Sequence, residues 1–172
     1  RYSHQRIRTN DRLAFPDGCS AGANYLYPGF CGDYSFDVYD FRSENEIRST
    51  NSAEAYLRGE FRTGPIRHEL GAGVKSIRYS ERYEPMQAYN WVGIGNVFSP
   101  VVLPENPVPG DLNTLRHART REIYLTDTMR FGADWSLWLG VRHTRLERSS
   151  ERTDGSRATH YDQSFTTPFG AL

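Results

Sequence analysis

The fold is decided by residues 53–75, which read AEAYLRGEFRTGPIRHELGAGVK. Up to residue 62, small or apolar side chains alternate with polar ones, which is the period of a β-strand and not of a helix. Gly64 and Pro65 then interrupt the pattern, as residues of a tight turn do. A second alternating stretch begins at residue 67, so the sequence predicts two antiparallel strands joined by a hairpin.

The same alternation extends outward from this hairpin in both directions. Strand-like stretches are predicted at residues 1–9, 34–62, 67–80, 120–131, 136–149 and from 160 onward. They are joined by short turns at 63–66 and 132–135 and by long connections at 10–33, 81–119 and 150–159. Residues 34–62 are interpreted as one long, bulged strand. The predicted class is therefore all-β, an antiparallel meander of about six or seven long strands.

The order of the turns favours one architecture. Because a meandering chain changes end at every turn, all short turns lie at one end of the sheet and all long connections at the other. Outer-membrane β-barrels have this asymmetry, with short periplasmic turns and long outside loops. A soluble β-sandwich with one polar face produces the same alternation and remains the alternative.

Composition narrows the function classes. The 172 residues suit one domain, and 21 basic side chains balance 21 acidic ones. Zero net charge argues against a nucleic-acid-binding protein, which carries a basic excess. Apolar runs of the ~18 residues that a membrane helix needs are absent from the sequence. Because both ends of the sequence lie near strand-like runs, we expect a piece of a larger chain.

Signatures of catalysis are absent from the sequence. Residues 71–76, GAGVKS, approach a phosphate-binding loop, but a valine separates glycine from lysine and the stretch reads as a strand. No two histidines have the spacing of metal ligands among His4, His68, His117, His143 and His160. We therefore predict a protein that is not an enzyme and has neither a resident cofactor nor a metal site.

Several motifs together resemble one family. Residues 61–70, FRTGPIRHEL, resemble the strand–turn–strand motif F-x-T-G-P-x-x-H-x-L of TonB-dependent outer-membrane receptors. Residues 122–127 and 135–142, EIYLTD and WSLWLGVR, resemble the family's Y-x-x-D and W-x-L-x-x-G-x-R hairpin. Residues 87–93 and 164–169, QAYNWVG and SFTTPF, are similar to a loop and strand of its siderophore-type members.

This resemblance covers residues 34–172 and implies a fold and a function. The family implies a ~22-stranded transmembrane barrel, closed by a plug, in the outer membrane of a Gram-negative bacterium. Such receptors import ferric siderophores with energy delivered through TonB. Residues 1–172 would be part of the barrel domain, without the plug and without the segment that contacts TonB. The expected partners are a ferric siderophore and outer-membrane lipid.

Two other functions remain open at this point. A receptor for a vitamin or an oligosaccharide would have the same strands, because ligand selectivity lies in the loops and the plug. A secreted β-sandwich binding module would belong to another class of protein, and it would not need detergent to stay in solution.

Ligand contacts are predicted in the long connection 81–119. Its large rings offer contact area at low entropic cost and can stack on flat parts of an iron chelator. Arginines at its end could attract an anionic ferric complex. The candidate residues are Tyr83, Tyr89, Trp91, Arg116 and Arg119. Tyr89 and Trp91 are the strongest candidates for contact with the ligand. The alternative is that these rings only pack the loop against its neighbours.

The two faces of the predicted strands differ in polarity. Leu57, Leu139 and Val141 are predicted to face lipid, whereas Arg58 and Arg142 are predicted to face a wet lumen. An aromatic girdle is expected near the short turns, from Phe61, Phe131 and Trp135.

Cys19 and Cys31 are predicted to form a disulfide that pins the first long connection. The Cys-x-x-Cys and paired-histidine patterns typical of zinc sites are missing, so the main alternative is two reduced thiols. A closed loop of about 13 residues would contribute about 3 kcal/mol and requires an oxidising compartment. Peptide mapping of exported protein without reductant should find the two peptides cross-linked, and two free thiols would contradict the prediction.

Overall fold

The structure is a computed structural model that describes residues 1–20, 25–26 and 29–172. The described residues form ten β-strands: β1 (Tyr2–Pro16), β2 (Tyr25–Leu26), β3 (Phe30–Cys31), β4 (Ser35–Thr63), β5 (Ile66–Arg82), β6 (Met86–Asn96), β7 (Asp111–Leu112), β8 (Thr114–Phe131), β9 (Trp135–Arg152) and β10 (Thr159–Ala171). Within these ranges, no helix has the length and apolar character needed to cross a membrane.

Most of the strands join into six long antiparallel paths. The long strand β4 pairs with β5 along one part of its length and with β6 along the other. On the far side of these two strands, β8 pairs with β5 and β7 pairs with β6. The paths run in the order β1, β4, β5–β6, β7–β8, β9 and β10, while β2 and β3 form a separate small hairpin. The predicted antiparallel meander of six or seven long strands is confirmed.

β4 is a single strand of 29 residues, as predicted for 34–62. Its register against β1 shifts where Thr9 lies opposite Glu46 and Asp11 lies opposite Ser43. Asn45, with φ of 53°, lies in this bulge and opens it by one extra residue. The bulge therefore places Glu46 and Ser43 on the same face of the sheet, although they are three residues apart.

Two predicted boundaries are wrong. β1 continues to Pro16, so the first connection starts at 17 and not at 10, because residues 11–16 pair with the start of β4. The predicted connection 81–119 holds β6, β7 and the first part of β8, which leaves a loop of only 97–110. Backbone pairing with β4 makes a strand of a segment whose glycines weaken the local pattern.

The turns are distributed as the sequence indicates. The short turns between β4 and β5 and between β8 and β9 lie at one end of the sheet, which we call the turn end. The connections between β1 and β4, β6 and β7, and β9 and β10 lie at the other, the loop end.

The strand register separates two faces. Leu57 lies opposite Ala72, Ala72 opposite Leu125 and Leu125 opposite Val141, so these side chains share one face, the Leu57 face. Leu139 lies two residues along the strand on the same face. Arg58 and Arg142 occupy the opposite face, the Arg58 face, so the predicted grouping of these residues is confirmed.

The sheet is a single layer. Among the described residues, Cys31 and Ala88 are the only buried apolar ones, while Leu57 is 79% exposed. A β-sandwich needs a core between two sheets, so the alternative fold class is wrong for this chain. The Leu57 face carries no arginine or lysine between the row of Ala55 and the row of Thr63, which we call the apolar band.

The height of the apolar band suits a bilayer. Eight residues at ~3.4 Å each span about 27 Å along a strand, and at a tilt of ~40° this is about 21 Å of height. Transmembrane barrels have an outward apolar band of about 25 Å.

The separation of the faces gives a stability prediction. In the full-length protein, Leu139→Arg places a cation inside the apolar band and should lower the free energy of unfolding by about 2–4 kcal/mol. Arg142→Leu, three positions along β9 and on the Arg58 face, should cost much less, and urea unfolding in lipid measures both. Equal costs, or the reverse order, would mean that the faces are inverted.

Candidate functional site

Aromatic side chains gather on the Arg58 face at the loop end. Tyr39 lies opposite Phe15 on β1, and Phe41 lies opposite Tyr89 on β6. The rings of Tyr39 and Tyr89 stack with their centroids 4.8 Å apart, and Phe15 lies 5.6 Å from Tyr89. Cross-strand aromatic pairs of this kind stabilise a sheet, and we call these four residues the aromatic cluster.

The hydroxyl of Tyr89 is held in place by a hydrogen bond, in addition to the stacking that holds its ring. It donates a hydrogen bond to the carboxylate of Asp17. Burial and this hydrogen bond to Asp17 raise the pKa of Tyr89 to about 12, so the phenol is a neutral donor at physiological pH.

Trp91 is the exposed neighbour of the aromatic cluster. It lies opposite Tyr39, and its side chain is 52% exposed. Its Nε1 donates to Oδ1 of Asp37 at 2.9 Å, while the amide of Ser20 donates to Oδ2 at 2.7 Å. Burial raises the pKa of Asp37, but the hydrogen bonds from Ser20 and Trp91 outweigh it and hold that pKa below its ordinary value. The N–H edge of the indole is therefore held by Asp37, while the rest of the ring is exposed to solvent.

The Cys19–Cys31 disulfide supports this anchor. Its Cα atoms are 5.2 Å apart, and Ser20 follows directly in the chain. The backbone of Asp37 also pairs with the first connection, because its amide donates to the carbonyl of Gly18 at 3.0 Å. The disulfide is present in the structure as predicted, and it closes the first connection next to Gly18 and Ser20, whose bonds to Asp37 hold that connection against the start of β4.

A second polar group on the Arg58 face surrounds Glu81. Arg116 donates to Glu81 at 3.0 Å and Tyr79 donates to it at 2.5 Å, while Tyr83 bonds to both Arg48 and Glu81. Arg48 also pairs with Glu46 at 2.8 Å. We call these residues the Glu81 network. Its two guanidinium groups are matched by two carboxylates, so it presents exposed arginine donors without a net positive charge.

The structure brings together four of the five predicted ligand residues. Tyr89 and Trp91 lie at the aromatic cluster, and Tyr83 and Arg116 lie in the Glu81 network on the same face. Arg119 lies three positions after Arg116 in the same strand, and it therefore occupies the opposite, Leu57 face. The structure does not bring it together with the other four residues.

Some residues of the site escaped the sequence analysis. Phe15 falls in a stretch predicted as loop, and Tyr39 and Asp37 reach Trp91 only through the pairing of β4 with β6. The sequence favours Tyr89 and Trp91 because Asn90 and a glycine flank them, but the packing partners of Tyr89 come from other strands. The alternation of rings along β4 was the available signal.

The loop 97–110 lies on the other side of the sheet. Arg42 pairs with Glu105 at 2.6 Å, and the amide of Asn106 donates to Asp40 at 2.8 Å. Asn90 on β6 donates to the carbonyls of Asn106 and Val108, both at 2.8 Å. These contacts hold the loop on the side of Asp40 and Arg42 and leave Trp91 open.

The Leu57 face carries a polar pair that the sequence analysis also missed. Nδ1 of His68 lies 2.7 Å from Oδ2 of Asp127, and the ring of Phe61 stacks on His68 with centroids 4.6 Å apart. Over the described part of the chain, no group of three or more histidine, cysteine or acidic side chains could hold a metal ion.

Comparison with solved structures identifies the architecture. BauA, the ferric preacinetobactin receptor from Acinetobacter baumannii, superposes with a TM-score of 0.71 at 20% identity over 98% of this chain and 24% of its own. The ferric citrate transporter FecA in its unliganded form superposes with a TM-score of 0.53 at 20% identity, over 79% and 21%. Both neighbours are transport receptors and not enzymes.

The likeness concerns the fold of a part of those proteins. The chain spans about a quarter of the length of the two receptors. No family model and no curated protein matches its sequence. The sheet has the fold of a segment of a TonB-dependent receptor barrel.

The anchor at Asp37 gives a pH prediction. Because folding lowers the pKa of Asp37 below 3.8, its ionised form stabilises the first connection above that pH, and the contribution is lost as the pH falls through the folded value. Asp37→Asn should remove about 1.5–3 kcal/mol of local stability at pH 7. Hydrogen exchange of residues 17–20 should therefore be faster in the variant at pH 7, and the difference from the wild type should shrink as the pH falls below 3.8.

Asp154→Asn is the control for this prediction. Asp154 accepts a hydrogen bond from the amide of Ser156 within the loop 153–158, far along the chain from Asp37. Its substitution should leave exchange at residues 17–20 unchanged. A wild-type protein whose exchange at those residues matches that of Asp37→Asn at pH 7 would contradict the assigned role.

Proposed function

We propose that this chain is part of an outer-membrane receptor that imports ferric siderophores with energy delivered through TonB. Residues 1–172 form a segment of the barrel wall in this proposal. The Leu57 face lies against lipid and the Arg58 face lines the lumen. The separation of an apolar band from a polar face and the fold shared with part of BauA and FecA support this assignment.

One observation carries the proposed ligand contact. Trp91 is half exposed although its only polar atom is already bonded to Asp37. An indole whose N–H has a partner offers its ring face for stacking, and the stacked Tyr39–Tyr89 pair beside it holds the backbone of β6 in place. The loop end would thus present a rigid aromatic surface, which gives contact area at a low cost in conformational entropy.

Charge has a smaller part in this recognition. Arg116 is 58% exposed and keeps donors free beside its bond to Glu81. It can contact a carboxylate or phenolate at the edge of a ferric complex. Because the Glu81 network carries no net positive charge, short-range contact outweighs long-range attraction at this site.

The aromatic surface also narrows the class of chelator. BauA is a receptor for ferric preacinetobactin and FecA is a transporter of ferric citrate. Stacking on Trp91 adds binding free energy for a chelator with planar rings and adds little for an aliphatic one such as citrate. We therefore assign a ring-bearing siderophore as the ligand of the full-length receptor.

Substitution of the two rings tests the proposal. In the full-length receptor, Trp91→Ala should weaken binding of a ring-bearing ferric siderophore about three- to tenfold, the range expected for loss of one aromatic stack. Tyr89→Ala should weaken it by at least as much, since Tyr89 also supports Tyr39. Fluorescence titration measures both, with folding checked by resistance to unfolding in detergent.

Trp135→Ala is the matched control. Trp135 is 63% exposed, but it lies on the Leu57 face at the turn end. Its substitution should change siderophore affinity less than twofold. If folded Trp91→Ala and Tyr89→Ala receptors both bind within twofold of the wild type, the rings only pack the loop end and do not contact the ligand.

A further inference from the structure

Four arginines lie on the Leu57 face immediately beyond the apolar band. Arg121 of β8 lies opposite Arg145 of β9, two residues toward the loop end from Ile123, which ends the band. Arg119 lies opposite Arg78 of β5, a further two residues along. Three neighbouring strands thus place four guanidinium groups side by side, which we call the arginine cluster.

The arginine cluster has fewer counter-ions than arginines. Arg145 pairs with Asp162 at 2.6 Å and with Glu147 at 3.2 Å, but Arg121 reaches only Glu147, at 3.9 Å. Arg78 and Arg119 have no ion pair or hydrogen bond with any side chain that the structure describes. Two carboxylates therefore face four permanent positive charges.

The unpaired donors include atoms that water does not reach. Nε of Arg119 and Nε of Arg121 are buried and have no hydrogen-bond acceptor among the described residues. The positive charges of Arg121, Arg78 and Arg145 repel that of Arg119, and the carboxylate of Glu147 acts on it in the opposite sense. A buried donor without an acceptor and a group of like charges both destabilise a protein, and one anion bound between the arginines relieves both.

Two of the four arginines, Arg78 and Arg119, line a surface cavity together with the carboxylate of Glu147. Its volume is ≈ 480 Å³, within the range of small-molecule sites. The walls hold polar donors in addition to the arginines, among them Asn51, His117 and His160. The cavity is therefore large enough for a phosphorylated sugar, and it presents donors from several strands.

The position of the cluster matches a lipid headgroup. Two to four residues beyond the band correspond to about 7–14 Å along the strand, or about 5–10 Å in height at a tilt of ~40°. The headgroup layer on each side of a bilayer is about 5–8 Å thick. At the turn end the Leu57 face carries Phe131 and Trp135 instead, so the arginines belong to the loop end alone.

We propose that Arg78, Arg119, Arg121 and Arg145 form a binding site for phosphate groups. Planar guanidinium groups bind phosphate oxygens through paired hydrogen bonds, which ammonium groups do not. The phosphate is carried by a glycolipid of the outer leaflet or is free in solution. The lipid source rests on the proposed function, which places the Leu57 face against the membrane.

The test uses the full-length receptor in detergent with three probes. These are lipid A with both phosphates, the same lipid after removal of the phosphates, and inorganic phosphate. Wild-type receptor should bind the phosphorylated lipid about tenfold more tightly than the dephosphorylated one, and high salt should reduce this difference. This comparison needs no variant, so it does not depend on whether a substituted receptor folds.

Variants then locate the site. Arg78→Gln with Arg119→Gln should abolish the preference for the phosphorylated lipid, whereas Arg78→Lys with Arg119→Lys should retain part of it. Arg58→Gln with Arg142→Gln removes the same charge from the opposite face and should leave the preference intact. An equal loss in this control would overturn the assignment.

The remaining outcomes distinguish lipid-borne phosphate from free phosphate, and the phosphate site from the proposed siderophore receptor. If the receptor binds inorganic phosphate but does not prefer the phosphorylated lipid, the site is supported and its ligand is free phosphate. Equal binding of both lipids together with no binding of phosphate overturns the site. Ferric siderophore binding is measured on the same wild-type preparation, and its failure would contradict the proposed function without changing the result for phosphate.

Discussion

Backbone hydrogen bonds between neighbouring strands hold this sheet together, because no second layer of the described residues covers either of its faces. Cys31 and Ala88 are the only buried apolar residues that the structure describes, so side-chain burial contributes little to cohesion within the chain. A soluble domain of this size buries most of its apolar surface internally. Here the Leu57 face leaves that surface open, and its stabilisation must come from a lipid environment or from further strands of a closed barrel.

The pairing register of the strands is especially important in such a structure, since a shift of one residue exchanges the two faces. The bulge at Asn45 and the one between Trp91 and Gly93 both change the alternation. The bulge at Asn45 places Tyr39, and with it the paired Tyr89 and Trp91, on the Arg58 face. The second bulge changes the alternation only beyond Trp91, where Gly93 lies opposite Val38. Without the bulge at Asn45, the rings at the loop end would lie on the side of the apolar band.

The sequence predicts those parts of the fold that depend on local pattern. The hairpin around Gly64 and Pro65, the two faces and the distribution of turns follow from alternation and turn chemistry. β6 does not follow, because its pairing with the start of β4 is set by residues some 50 positions away and its glycines interrupt the pattern. The separation of Arg119 from Arg116 does not follow either, because the sequence analysis places both residues in one long connection. Once β8 begins at Thr114, Arg116 and Arg119 must lie on opposite faces.

The polar groups of the Leu57 face follow one physical rule. Inside the apolar band, Asp127 lies 2.7 Å from His68, and Phe61 covers the histidine ring. A charge in hydrocarbon is costly unless it is paired, so a partner within the protein is required there. A few residues beyond the band, Arg78 and Arg119 have no such partner. Unpaired arginines are tolerable where water or anions from outside the chain can reach them. In the orientation proposed above, the headgroup layer of the outer leaflet would supply anions at that height.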